Sequence, residues 1–440
     1  MRAPVKWIGL AIAALAIVAA SLVLLAPVFR SFVKNRIVDT LSANLDSEVE
    51  VGDLQIALVP HISIHGQGLI LHHKRRRDVP PLIRIGKFSA EAGLLALLRS
   101  PAHIFRVHLD GLEIHVPPKG SRANGVRAEP AKRKAFPVVI DELIADKTEL
   151  KLLRKDSAKE PLEFGIHELT MHSIALDRPA PFRAKLSNPK PRGEIETVGQ
   201  FGPWNREEPS ETPLAATYAF TNADLSTFRG IAGILASTGQ FGGTLDTIYV
   251  QGKTSTPDFR TSVAGHPVPL ETRFDGVVDG TNGNTSLTPV RASFRRSSMI
   301  ANGGVARNPG VKGRTVFLDV VAEEARLEDL LRLAAKADRP AMTGSIRFRA
   351  KLELPPGEAD VVERLKLDGQ FGIGAARFTN LNVREKVREL SRKAEGEPEN
   401  KQAGSSVLSL AGRFRMSHGV LSFSNLTFEV EGASVRVDGT

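Results

Sequence analysis

The sequence predicts a mainly β protein with a few helices, in which an N-terminal transmembrane helix precedes an elongated, repeat-like sheet. Two observations carry that expectation. Trp7 to Phe29 holds no charged residue. Most of the chain beyond Phe29 alternates apolar and polar residues in short stretches bounded by Gly, Pro or Asn-Gly, the period of a half-buried strand.

The apolar run, with Trp7, Ile8, Leu10, Ile17, Leu24, Leu25 and Phe29 among its anchoring side chains, is long enough to cross a ~30 Å hydrocarbon core as a helix. A cleaved signal peptide fits less well, because its apolar region would be about 7–15 residues long and Ala26-Pro27 is a poor cleavage site. Residues 1–30 are therefore read as an uncleaved anchor. Arg30, Lys34 and Arg36 come directly after it, so charge alone does not set its orientation. The bulk of the chain lies on one side, which for such an anchor is more often the outer one.

Residues 31–118 form a β/α region. Phe32, Ile37, Val38, Leu41 and Leu45 have helical spacing. Glu48 to Val51, Ile62 to His65 and Leu112 to Val116 alternate as strands, with a short helix expected over Glu91 to Arg99. Residues 119–136, basic and rich in Pro and Gly, read as a linker or loop. Residues 137–364 form a central β-rich region with two helices, one capped by Asp224 before Leu225, Phe228, Ile231 and Leu235, the other over Glu323 to Ala337. Residues 365–440 carry the clearest hairpins, turning at His418-Gly419 and Glu431-Gly432. Gly-Gln-Phe-Gly occurs at 199–202, 239–242 and 369–372, with a looser copy at Gly412-Arg413-Phe414, which suits a ladder-like sheet.

Composition and motif searches exclude several functions. With no cysteine, disulfide scaffolds, zinc-thiolate sites, iron–sulfur clusters and Cys nucleophiles are ruled out. His61, His65, His72, His73, His103, His108 and His115 cluster in sequence, but Pro60 and the alternation of Ile62 and Ile64 place them on the wet face of strands. Gly252-Lys253-Thr254 lacks the first glycine of a phosphate loop, since position 247 is Thr247. Glu323-Glu324 and Glu328-Asp329 read as the solvated face of a helix. No catalytic constellation remains, so no enzyme activity and no cofactor are expected. The net charge of +10 and the run Lys74-Arg75-Arg76-Arg77 raise nucleic acid, but no aromatics interleave with the run. A solvated loop, or contact with anionic lipid headgroups, fits better.

Phe220, Phe274, Phe294, Phe317, Phe348, Phe371, Phe414, Phe423 and Phe428 fall inside alternating segments. Positions two apart on a strand share a face, so these rings are candidates to line one apolar surface. With few helices to cover roughly 20 strands, a trough for acyl chains becomes possible, at about 0.8 kcal/mol per methylene buried.

The run Val49-Glu50-Val51-Gly52-Asp53-Leu54-Gln55-Ile56-Ala57-Leu58-Val59-Pro60, then His61 to Gly66, Pro81 to Gly86, Leu94 to Leu98 and Val107 to Ile114 resemble the N-terminal region of the AsmA family of envelope proteins. Leu365 to Thr440 is similar to its C-terminal region. The resemblance implies a protein of a Gram-negative-type inner membrane with its body in the periplasm. It further implies a long, curled sheet with an apolar groove, related to bridge-like lipid transfer proteins. Membrane phospholipids would be its partners and phospholipid transport its role; an envelope-assembly scaffold that affects outer-membrane proteins is the alternative. No catalytic residues come with the family. Its members continue past the final hairpins, whereas this sequence stops at Asp438-Gly439-Thr440, which implies a truncated C-terminus or an open sheet edge that envelope proteins could pair with.

Overall fold

The computed structural model describes residues 31–440 apart from 32–33, 36, 43–44, 46, 58–61, 75, 94–100, 118–137, 154–161, 281, 309–312, 337–338, 380–407, 431–432 and 438–440. The expected anchor lies outside the described residues. Among them, no helix is long and apolar enough to cross a membrane. The fold is mainly β, with mostly antiparallel, open sheet and few helices. Two compact units divide the chain, Met1–Ala184 with Gly199–Pro213, and Lys185–Val198 with Leu214–Thr440.

In the first unit the described residues between 31 and 45 are helical, as their spacing predicts. β1 (Ser47–Val51) and β2 (Leu54–Ala57) both pair with the long β3 (Ile62–His73). β3 pairs with β4 (Ile83–Ala92), and β4 with β5 (Ala102–Val116). β5 runs parallel to β6 (Val138–Leu152), which pairs with β7 (Leu162–Ile174). Register brings Val49 opposite Leu71 and Leu69 opposite Ile85, stacking one face of alternating apolar residues. Ile37, Val38, Leu41 and Leu45 pack over that face, closing a core with Leu54, Leu71, Leu109 and Ala145.

Residues 119–136 lie outside the described residues, but the strands on either side of them pair with each other, so the flanking β-rich stretches belong to one unit. The helix expected over Glu91 to Arg99 does not begin where placed. Glu91 and Ala92 end β4, opposite Ser63 and Ile62, and 94–100 are not described.

β8 (Ala180–Pro189) and β9 (Arg192–Phe201) contain the boundaries between the units. The second unit continues with β10 (Pro213–Asp224), β11 (Ile231–Ala232), β12 (Ile234–Thr244), β13 (Thr247–Thr261), β14 (Val268–Asp279), β15 (Thr285–Phe294), β16 (Ser297–Ala306) and β17 (Thr315–Arg326). Helix α1 (Leu327–Ala334), β18 (Met342–Leu354), the one-turn α2 (Val361–Arg364), β19 (Lys366–Phe378), β20 (Leu408–Ser417), β21 (Val420–Val430) and β22 (Ala433–Val437) complete it. From β12 to β22 each strand pairs antiparallel with the next. His418 and Gly419 both have positive φ, 52° and 73°, as a two-residue hairpin turn requires.

Two expected helices are shorter than their sequence pattern. Asp224 caps only one 3-10 turn, Leu225–Thr227, accepting from the Ser226 N–H at 2.9 Å. Gly230 and Gly233 then take positive φ, and Ile231 and Leu235 enter strands. The second helix starts at Leu327, because Glu323 to Arg326 still belong to β17, with Arg326 opposite Ser345. Glu323 to Arg326 are good helix formers, but four residues of propensity are too few to nucleate a helix against a continuing ladder.

Candidate functional site

The strand registers of the second unit assemble one apolar face. Gly239 lies opposite Gly252, Gly252 opposite Phe274, Phe274 opposite Val290, and Val290 opposite Ala301. The row continues through Val320, Ala350, Gly369 and Phe414 to Phe423. It crosses every strand from β12 to β21 without a polar side chain. A parallel row carries Leu318, Leu352, Leu367 and Met416 in direct opposition. The other face carries charge, together with the exposed side chains of Tyr249, Ile300 and Phe317. There Asp319, Lys351, Asp368 and Arg415 alternate in charge across β17 to β20, and Arg415 lies 3.0 Å from Asp368.

The rings lie down on cross-strand glycines. A Cβ at Gly252 would stand 3.0 Å from Phe274 Cζ, one at Gly369 2.8 Å from Phe414 Cζ, and one at Gly193 2.7 Å from Phe220 Cε2. The repeated Gly-x-Phe motif thereby gains a physical meaning: Gly369 faces Phe414 while Phe371 faces Gly412, each glycine leaving room for its partner's ring. Phe371 also packs edge-on to Phe423, with centroids 5.8 Å apart, and lies 6.2 Å from Phe414.

Cover over this face is uneven. At one end α1 seals Ala322, Ala325, Ile346, Ile373 and Ala376. Elsewhere Val250, Phe274, Leu318, Leu352 and Phe414 remain half-buried. Phe348 and Phe371 sit at the margin of the α1 cluster. A depression of about 520 Å³ passes Phe348, Phe371 and Gly412.

The sequence-predicted phenylalanines therefore separate. Phe220, Phe274, Phe348, Phe371, Phe414 and Phe423 share the apolar face. Phe294 shares it too but is 3% exposed, shut in at the β15–β16 turn. Phe317 lies on the opposite face beside Glu353, 47% exposed, because Val316 and Leu318 take the inward positions. The Phe428 side chain is outside the described residues, although its backbone pairs with Leu410.

α1 is held by two acids that sequence reasoning assigned to a solvated helix face. They are buried instead. Asp329, 1% exposed, accepts from Arg295 Nε at 3.2 Å, the Arg296 N–H at 3.0 Å and Ser297 Oγ at 3.0 Å. Glu328 accepts from Arg296 at 2.7 Å, Arg326 at 3.0 Å and the Gly344 N–H at 3.1 Å. Burial pushes the Glu328 carboxyl up, but the backbone N–H groups of Glu328 and Gly344 and the Arg326 guanidinium together hold it below the usual carboxylate range. The local signal for this clamp was thin: a β-turn Arg-Arg-Ser far away in sequence supplies its partners.

The other candidates lie in the first unit. Lys74 donates to the Glu207 carbonyl at 2.6 Å, Arg76 pairs with Asp78 at 2.5 Å, and Arg77 reaches Glu48 at 2.9 Å and Glu50 at 2.6 Å. These cations are engaged within the chain, which leaves little of the run for headgroups; Arg75 is not described. His103 and His108 meet Asp141 at 3.2 Å and Asp146 at 2.8 Å across the parallel β5–β6 pair. His115 is buried, its Nδ1 2.9 Å from the Pro81 carbonyl, and burial lowers its pKa. Among the described residues no group of three or more potential ligands is placed to hold a metal. Compared with known proteins, the chain matches no family model, no curated protein and no solved structure.

Proposed function

We propose that the second unit binds lipid acyl chains along its apolar face, in a non-enzymatic protein anchored in the inner membrane by Trp7 to Phe29 with its body in the periplasm. Phospholipid transport between envelope membranes is the role this reading assigns. The observation that supports it is the row from Gly239 to Phe423, apolar on every strand yet half-buried over much of its length. Apolar area of that extent facing water is uncommon unless something binds it. The resemblance of the sequence to AsmA-type envelope proteins supports the compartment and the class of ligand.

Lipid carried by the detergent-extracted chain, quantified by mass spectrometry, tests this. Phe274→Asp and Phe414→Asp are expected to strip the lipid, whereas Phe317→Asp, on the charged face, retains it. Lipid-free parent protein of unchanged fold, or equal loss from Phe317→Asp, overturns the reading. A second reading, an assembly scaffold, is favoured by β22, which among the described residues pairs only with β21 and so offers an edge for strand addition. Site-specific crosslinks at that edge that capture envelope proteins while no lipid is bound would decide for it.

A further inference from the structure

The apolar face ends in two arginines. Val305 and Val316 are its last direct pair on β16 and β17, and Ala306 opposite Thr315 closes the register. Arg307 follows β16 and Arg314 precedes β17, each one residue beyond that register and two residues from Val305 and Val316. Neither has an ion pair among the described residues. The Arg307 N–H donates to Asn284 Oδ1 at 3.2 Å, but its guanidinium Nε is buried with no acceptor. Gly283, at φ 69° in the β14–β15 turn, packs so closely against Arg314 that a Cβ there would collide with Nη2. Both arginine side chains are half-buried. Burial first, and then the charge of Arg307, lowers the pKa of the Arg314 guanidinium. Two like charges, partly desolvated and without a carboxylate, are unfavourable in themselves, and a planar fork of donors is suited to an oxyanion.

We propose that Arg307 and Arg314 bind the phosphate of a lipid headgroup whose acyl chains lie on the apolar face. This rests on the acyl-chain reading above and adds the position of the headgroup. The twelve residues of β17 run from this end toward α1, about 40 Å at ~3.4 Å per residue, so the phosphate and the closed end of the face are at opposite ends of the same strand.

The test uses the full detergent-extracted chain and three probes: didodecanoyl phosphatidate, didodecanoylglycerol with the same chains but no phosphate, and inorganic phosphate. The parent protein is expected to hold phosphatidate about tenfold or more tighter than the diacylglycerol, the scale of hydrogen bonds to a charged group. R307Q/R314Q removes that preference and leaves diacylglycerol binding as it was, whereas Phe274→Asp weakens both lipids. A preference retained in R307Q/R314Q overturns the proposal. So does a melting temperature for that variant several degrees below the parent, which would mark the arginines as structural; relief of like-charge repulsion predicts no loss. R314K, which keeps the charge but not the fork, is expected to show an intermediate preference. If the parent binds neither lipid, the acyl-chain reading fails on its own. A phosphate-dependent rise in melting temperature, absent from R307Q/R314Q, then supports an oxyanion site for free phosphate, and no rise overturns the site.

Discussion

In the first unit Ile37, Val38, Leu41 and Leu45 lie over the sheet, and Leu71 beneath them is 2% exposed. In the second, Phe274 and Phe414 sit on a comparable apolar face and remain half-buried, because α1 covers only the end around Ala322 and Ile346. Both faces are built by the same two-residue period. What differs is the supply of a second layer, and a strand's own sequence does not encode it. Where a layer is present the face becomes a core; where it is short, the face keeps apolar area in contact with solvent.

The largest expected effect comes from removing a side chain beneath the full cover. Leu71→Ala should cost about 2–5 kcal/mol, the range for a fully buried leucine. Phe274→Ala, although it removes more atoms, should cost less than about 2 kcal/mol, since part of that ring is already in water. Urea unfolding of both variants measures the contrast. A Phe274→Ala loss equal to that of Leu71→Ala would mean the second face is packed shut, and the acyl-chain reading would go with it.

Next in size is the clamp that fixes the partial cover. Asp329→Ala leaves the Arg296 N–H and Ser297 Oγ without their acceptor and Arg295 without its partner. Such orphaned buried donors cost about 2–3 kcal/mol. The variant should also loosen α1, read as faster amide exchange over Leu327–Ala334. Unchanged exchange would mean that α1 is held by its leucines alone.

These two cases also show what could be read in advance. Strands were legible wherever polar and apolar residues alternate, as in Ser345 to Arg349. Face was harder to read where neighbouring residues are all apolar: Val316-Phe317-Leu318 does not by itself say which side Phe317 takes, although Thr315 and Asp319 share its parity, and register with Glu353 places it on the charged face. The burial of Glu328 and Asp329 depends on a turn some thirty residues earlier in the chain. The pairing of β5 with β6 is parallel, and neither strand carries a mark of its partner's direction. The Gly-Gln-Phe-Gly repeats were visible as words, but the role of the copy at 369–372, a glycine under the Phe414 ring, needs the ladder to be known.

That role gives a smaller effect, confined to the second unit. Gly369→Ala places a methyl 2.8 Å from Phe414 Cζ and closer still to the Arg349 carbonyl oxygen, so ring or strand must shift, at about 1–3 kcal/mol. Pairing the variant with Phe414→Leu, which withdraws the ring, should recover part of that loss in a double-mutant cycle. Full additivity would show that the backbone contact, and not the ring, requires the glycine.

The smallest effect separates the units by pH. His115, in the first, titrates below its ordinary 6.5, chiefly through burial, with the Pro81 carbonyl pulling the other way. The unfolded imidazole therefore takes up its proton first, and stability of the first unit should fall as pH drops through 6.5, levelling once the folded histidine is also charged. Glu328, in the second, is held below its ordinary 4.5. Its contribution is complete above that value and is lost as pH falls through it toward the lower folded value. Acid should thus weaken the first unit before the second, with His115→Gln flattening the upper slope and Glu328→Gln the lower. Amide exchange resolved by unit at pH 7.5, 5.5 and 3.5 reads both. If the order were reversed, or a single slope served both units, the two titrations would have been assigned to the wrong groups.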